Sequence, residues 1–291
     1  MNYILHNQFF TMEFSTAGGE MQSIQDSTGR EWLWQGDKTY WNQKSPVLFP
    51  FIGKNTGGHY SYENHLYPAL QHGFLYDSEM SVFSHTESEI IFELSSSETT
   101  KAIYPFDFLL RIRYALSGTT LAVTFTVENL GASPMFFGLG GHPGFQMPLD
   151  AGCDFEDYSI VFQNAGQTKR ILLSDDCFPT GERAPYPLQN GTALPLRHNL
   201  FEREAIILQN SGDIAILSAN KNGHSITVQY PDMPFFAVWH TAHTKAPFIC
   251  LEPWTSLPAR QHITEDLATQ PDLISVPPRQ TYTNAWSITL R

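Results

Sequence analysis

The chain has 291 residues, with 17 basic against 29 acidic side chains and a formal net charge of −12. That balance argues against a protein that neutralises phosphate backbones or sits on anionic lipid. No apolar run reaches the roughly 20 residues needed to span a bilayer. Three cysteines, Cys153, Cys177 and Cys250, are too few and too scattered for a disulfide framework or a paired-cysteine metal site. Residues 1–18 have neither a basic start nor an apolar signal core, so a reduced, cytoplasmic protein is expected.

Taken in order, almost every segment reads as strand, turn, strand. Residues 3–7 and 9–15 are strands, and Gly18-Gly19 turns the chain. Met21–Asp26 alternates with period two, and Thr28-Gly29-Arg30 closes a hairpin before Trp32-Leu33-Trp34. Residues 45–54 are an apolar run broken by prolines and ending in a cation, Lys54. Gly57-Gly58 and residues 59–67 form a hairpin-like unit. Strands follow at 80–85, 89–95, 108–116 and 121–129, the last two joined tightly through Ser117-Gly118. Further on, strands are expected at 158–163, 205–208, 214–218 and 225–230, with Asn190-Gly191 and Asn222-Gly223 as turn dipeptides. Helix is confined to short turns near 196–200 and 265–267. Many short strands between Gly, Pro and Asn-Gly breaks predict an all-β protein, a large antiparallel β-sandwich. With no repeat, low-complexity tract or composition shift, residues 1–291 read as a single domain.

Two stretches carry the chemistry. In Gly138-Leu139-Gly140-Gly141-His142-Pro143-Gly144, the glycine pair allows unusual backbone angles and Pro143 bars a normal helix start. The imidazole is therefore expected at a strand end, close to backbone and facing a cavity; a turn histidine without chemistry is the competing reading. In Phe248-Ile249-Cys250-Leu251-Glu252-Pro253-Trp254, four apolar residues lead into a carboxylate whose burial should raise its pKa. A histidine and a glutamate of raised pKa are the two parts that general acid–base chemistry near neutral pH requires.

Other motifs fail their tests. Pro143 stands where a dinucleotide fingerprint needs its third glycine, and Gly53-Lys54 lacks the earlier glycine of a phosphate loop. His240 and His243 have metal-like spacing but no helix context and no intervening glutamate, so a polar loop is the preferred reading and no metal is expected. No Gly-x-Ser-x-Gly elbow occurs. His72, in Gln71-His72-Gly73-Phe74, is structural if alone and a second site imidazole if it stands beside His142. Trp239, Trp254 and Trp286 each offer a flat face to the C–H side of a sugar, with a core role as the alternative. Cys250 reads as a buried, inert thiol.

These residues resemble the aldose 1-epimerase (galactose mutarotase) family, in its LacX-like branch, over nearly the whole chain. The resemblance rests on Trp32-Leu33-Trp34-Gln35-Gly36-Asp37, Ser45-Pro46-Val47-Leu48-Phe49-Pro50, Gln71-His72-Gly73-Phe74, Gly140-Gly141-His142-Pro143-Gly144-Phe145, Asp157-Tyr158 and Cys250-Leu251-Glu252-Pro253-Trp254. It implies an antiparallel supersandwich, a site without metal or cofactor, and sugar ring-opening chemistry. Position by position it implies Glu252 as general base, His142 as general acid and His72 as a histidine holding sugar oxygens. Lys54 falls roughly where relatives often carry a substrate-contacting arginine, and Glu204 near a sugar-binding aspartate. Glu252 would take the C1 hydroxyl proton while His142 protonates the ring oxygen; the ring opens, the aldehyde rotates, and reclosure gives the other anomer. This needs an ionised carboxylate and a protonated imidazole together, a pairing that their opposite charges would favour.

Tyr76 stands where relatives carry an arginine after the His-Gly-Phe motif, and residues 255–260 replace their aromatic and glycine. Lys54 in place of arginine loses bidentate geometry. With the acidic balance, these departures favour a neutral aldohexose such as glucose or galactose over a phosphorylated one. The expected partner is a small-molecule sugar, not nucleic acid or membrane; monomer and homodimer both stay open. Three other readings share the cleft: a carbohydrate-binding or sensing protein without turnover, a sugar-phosphate mutarotase, and a glycoside-cleaving or lyase-type enzyme using Glu252 with Glu204 or Asp232.

Overall fold

In the computed structural model, which describes residues 1–219 and 223–291, two large antiparallel sheets carry the fold. The nine-stranded sheet runs in space Ala193–Pro195, Tyr158–Gln163, Ile214–Ala219, Ser225–Gln229, Thr281–Leu290, Thr120–Asn129, Phe108–Ser117, Glu89–Ser95, Ser81–His85. Its long central hairpin follows the period-two pattern: Phe108, Leu110, Ile112, Tyr114 and Leu116 point inward opposite Leu121, Val123, Phe125 and Val127. Gly118, at φ 57°, lets a two-residue link join the paired Ser117 and Thr120.

The eight-stranded sheet runs Pro179–Pro185, Lys169–Leu173, Ile206–Gln209, Phe235–Trp239, Phe248–Trp254, Gly140–Gly141, Val47–Leu48, with Gly144–Gln146 also paired to Phe248–Trp254. Phe248–Trp254 is buried at all seven positions because both faces are covered. Ile249 and Leu251 enter the main core between the sheets. On the opposite face, Phe248 and Cys250 pack with Trp34 and Ala246, while Trp254 joins Leu48, Ile52, Ile207 and Phe235. The floor between these two small apolar clusters is the outer face of the sheet, and it is there that Glu252 lies.

The expected turn near residues 196–200 is a 3-10 turn, His198–Phe201. That near 265–267 is not helical: Ser61 donates to the Glu265 carbonyl and Leu267 donates to the Ser61 carbonyl, so this backbone is spent on a neighbouring hairpin. The α-helix Glu98–Lys101 was not expected. It is held by a reciprocal cap in which Ser97 accepts from the Thr100 N–H and Thr100 accepts from the Ser97 N–H. Asn190 and Gly191 turn at φ 53° and 79°, while Asn222 of the other turn dipeptide lies outside the described residues. Among the described residues no helix is long and apolar enough to cross a membrane.

Candidate active site

The pairing Gly140 with Trp254 and Gly144 with Cys250 belongs to one antiparallel register, interrupted at His142-Pro143. Continued through the interruption, that register sets His142 opposite Glu252. The break is stitched by the His142 N–H donating to the Pro46 carbonyl (3.1 Å) and the Leu251 N–H to the Pro143 carbonyl (3.2 Å). The glycines are present for space, not for unusual angles: none of Gly138, Gly140, Gly141 or Gly144 has a positive φ. A Cβ would lie 2.6 Å from Trp254 Cδ1 at position 140, 2.5 Å from Trp286 Cζ2 at 141 and 2.9 Å from Trp41 Cζ3 at 144. Trp286 thus backs the glycine strand and does not line the cavity.

His142 Nε2 lies 3.2 Å from Glu252 Oε2, with the carboxylate 1% and the imidazole 9% exposed. This is ion-pair range without hydrogen-bond alignment, and Glu252 Oε2, His142 Nδ1 and Trp254 Nε1 are all buried without a hydrogen-bond partner. Unpaired polar atoms in a dry site are costly, and Glu252 Oε2, from a residue lining the cavity, suits a hydroxyl of a polar ligand. Rings enclose the imidazole: Trp41 at 4.9 Å between centroids, His72 at 5.4 Å and Trp239 at 5.7 Å.

Burial pushes the Glu252 carboxyl well above the usual carboxylate range; the Trp254 indole N–H, near it but outside hydrogen-bond geometry, only partly offsets this. Burial, reinforced by the neighbouring His72, pushes His142 well below the usual imidazole value. The raised glutamate matches expectation. Burial works against the expected ion pair: desolvation disfavours both the carboxylate and the imidazolium, and so favours a carboxylic acid beside a neutral imidazole. That pair and the ion pair hold the same number of protons.

His72 adopts φ 62°. Its Nδ1 accepts from the Gly53 N–H (3.1 Å), so the neutral ring carries its proton on Nε2. Burial lowers its pKa to about 4, which keeps it a neutral donor. Glu204, at φ 64°, accepts the Trp239 indole N–H at 3.0 Å. Lys54 Nζ sits 4.8 Å from the Phe178 ring centroid.

One cavity of about 500 Å³ is lined by His142, Glu252, His72, Lys54, Glu204 and Trp254 together, a size suited to a small molecule. Lys54 is its only lysine or arginine among the described residues. Tyr76 and Trp239 also line it, as do Trp41, Asn42, Gln43 and Gln71, which sequence reasoning did not single out. Trp41-Asn42-Gln43 is an indole followed by two amides just before Ser45-Pro46, a loop sequence with no motif that marks it for the cavity. Asp232 borders a different, shallower cavity, so it cannot partner Glu252. His240 opens the loop after Phe235–Trp239, as expected, but is fully buried: its Nδ1 donates to the Thr241 carbonyl (2.8 Å) and its Nε2 accepts from His198 (3.1 Å). His243 occupies a turn at φ 56°.

The family model described as aldose 1-epimerase matches residues 1–288. The plasmid-borne LacX protein of Lactococcus lactis subsp. lactis is 31% identical over 299 residues, covering 100% of this chain and 99% of that protein. A galactose mutarotase related enzyme from Lactobacillus acidophilus superimposes with a TM-score of 0.95 at 30% identity, over 100% of this chain and 97% of its own. A galactose mutarotase-like protein from Lactobacillus casei gives a TM-score of 0.95 at 31% identity, with both chains covered completely.

Proposed function

Since the chain belongs to the aldose 1-epimerase family, we propose that it interconverts the α and β anomers of a free aldohexose such as glucose or galactose, as one domain of residues 1–291. Family membership supports an isomerase acting on carbohydrates; the roles of individual residues and the choice of sugar are the proposal. The observation that carries it is the His142–Glu252 pair, 3.2 Å apart on the floor of a sugar-sized cavity.

A pyranose in the cavity would bring hydroxyls to the unpaired oxygen of Glu252 and to the His72 Nε2–H. Polar contact to the ligand offsets the desolvation that holds the pair neutral, and transfer of one proton gives glutamate and imidazolium. Glu252 then accepts the C1 hydroxyl proton as His142 donates to the ring oxygen, and the C1–O5 bond breaks to leave an aldehyde and a ring-opened hydroxyl. Rotation about C1–C2 and the reverse transfers close the other anomer, so no proton is gained or lost overall. Trp41, Trp239 and Trp254 offer apolar faces to the sugar's C–H side. The Trp239–Glu204 hydrogen bond fixes a carboxylate at the rim for sugar hydroxyls, and Lys54 supplies one further donor.

A neutral sugar is favoured over a phosphorylated one because the cavity's one lysine is already drawn over Phe178 and faces the same cavity as Glu204. The test is polarimetry of freshly dissolved α-D-glucose and α-D-galactose beside glucose 6-phosphate. Acceleration of the free sugars above the uncatalysed rate is expected. Preferential turnover of the phosphate would sink the substrate assignment. Sugar binding without anomer exchange would establish the non-catalytic reading.

A further inference from the structure

We infer that His142, Cys250 and Glu252 form a binding site for one thiophilic divalent cation of the Zn²⁺ type, and that its occupancy blocks the sugar site. The cation-binding half stands on geometry alone, and the blocking half rests on the proposed function. Cys250 and Glu252 are two apart on one strand and so project from the same face. His142 faces Glu252 from the break between Gly140–Gly141 and Gly144–Gln146. One donor atom from each of the three lies within 4.8 Å of the others, and all three residues are buried. Zinc bonds of about 2.0–2.3 Å to nitrogen, oxygen and sulfur require these side chains to close in by less than about an ångström.

The donor set has the composition of a zinc site with an open position: one nitrogen, one sulfur and one oxygen, with the cavity supplying the fourth direction. Two of its members present buried polar atoms that lack a hydrogen-bond partner, His142 Nδ1 and Glu252 Oε2. Trp34, Ala246 and Phe248 hold the Cys250 thiol in place. Binding replaces two protons, one from the Cys250 thiol and one from the Glu252 carboxyl, with a metal–sulfur and a metal–oxygen bond, and both protons leave to solvent. It also engages both groups that proton transfer needs. The soft sulfur ligand selects against Mg²⁺, which prefers an all-oxygen shell.

Titration of the full-length protein with ZnCl₂ by calorimetry is expected to give one ion per chain. CdCl₂ should give a cadmium–thiolate absorption band, and MgCl₂ neither signal. Cys250→Ala and Cys250→Ser should each weaken Zn²⁺ binding by roughly tenfold or more and lose the band. Cys177→Ala, at the cavity wall, should keep both. Two serine and alanine variants, with melting curves in the absence of metal, prevent one folding defect from deciding the result. Unchanged Zn²⁺ affinity in folded Cys250 variants, or loss of the band in Cys177→Ala, would overturn the site. Zn²⁺ should also slow mutarotation of α-D-glucose by wild type but not by Cys250→Ala; equal inhibition of both would overturn the blocking half. Stoichiometric Zn²⁺ uptake through Cys250 by a protein inert towards every sugar would keep the metal site and remove the proposed function instead.

Discussion

Glu252 Oε2, on the strand Phe248–Trp254, and His142 Nε2, at the break between Gly140–Gly141 and Gly144–Gln146, face each other at 3.2 Å, and burial drives the first group's pKa up and the second's down. In the proposed mechanism the catalytic unit is the pair with one proton, whichever atom holds it. Adding a proton creates a buried imidazolium beside a neutral acid, which the lowered His142 value resists. Removing the proton creates a buried carboxylate beside a neutral imidazole, which the raised Glu252 value resists. Both limits therefore move outward. With the ordinary values of 4.5 and 6.5, activity would be confined between them. Instead kcat/KM should stay level as pH rises through 6.5; a fall centred there would contradict this account.

Replacing either member should be severe. Glu252→Gln and His142→Asn keep volume and hydrogen-bonding capacity while removing proton transfer, a contribution of about 10²–10⁴-fold. Mutarotation by each variant should fall at least about 100-fold, with sugar still shifting the melting temperature. Either variant retaining more than about half of wild-type activity would refute the assignment, since a proton-transfer group cannot be dispensable on this scale.

His72 has a different task, set by the Gly53 N–H that occupies its Nδ1. Asparagine tolerates the positive φ at this position better than most residues, so His72→Asn tests the Nε2–H donor without breaking the turn. Loss of one donor to a charge-bearing oxygen costs on the order of 10²-fold in kcat. A fall of that size, with an unchanged pH profile, is expected. An altered pH profile would mean that His72 exchanges protons itself.

Much of this was legible in the residues, for identifiable reasons. The hairpin Phe108–Ser117 with Thr120–Asn129 has one face in the core and one partly exposed, so alternation survives in its sequence. Phe248–Trp254 reads as a continuous apolar run because both faces are covered, and Glu252 stands out as the exception within it. Thr281–Leu290 also alternates, with Tyr282, Trp286, Ile288 and Leu290 inward and threonine and serine mostly outward, but the polar Asn284 at an inward position interrupts its apolar face and sequence reasoning did not single it out. Pro179–Pro185 is an exposed edge strand with two prolines and a glycine, which contradict strand propensity. Trp41, Asn42 and Gln43 reach the cavity from a loop whose destination no local pattern encodes. The direction in which burial pushes His142 was also not legible, because it depends on how dry the floor is. Sequence shows opposite charges, but not the cost of burying them.

Acid should weaken the fold through its buried histidines. The pKa values of His72 and His240 are lowered to about 4, in both cases first by burial. A folded-state value below the unfolded 6.5 means that the unfolded chain binds more protons between those limits, so stability rises with pH across that window and is lost as pH falls through it. For the fully buried His240 the loss is on the order of 3 kcal/mol by pH 4. Urea midpoints measured from pH 7 to pH 4 should decline, and His240→Phe, within the Phe155 and Phe201 rings, should flatten the decline. An unaltered slope in that variant would remove His240 from the explanation.

Gly141→Ala tests why the histidine is preceded by glycines. If backbone freedom were the reason, alanine would be tolerated, because the φ at this position is not positive. The space argument predicts otherwise: the new Cβ would fall 2.5 Å from Trp286 Cζ2 and 2.9 Å from Cη2, and that indole is itself only 4% exposed. Overpacking of this kind costs about 1–3 kcal/mol, read as a lowered urea midpoint. Trp286→Leu vacates the same space at its own cost, so alanine should be far less damaging in the double variant. The coupling between the two substitutions should reach roughly 1 kcal/mol or more. Independent, additive effects would show that the strand carrying His142 is not braced by Trp286, and that its position opposite Glu252 is maintained by the sheet pairing alone.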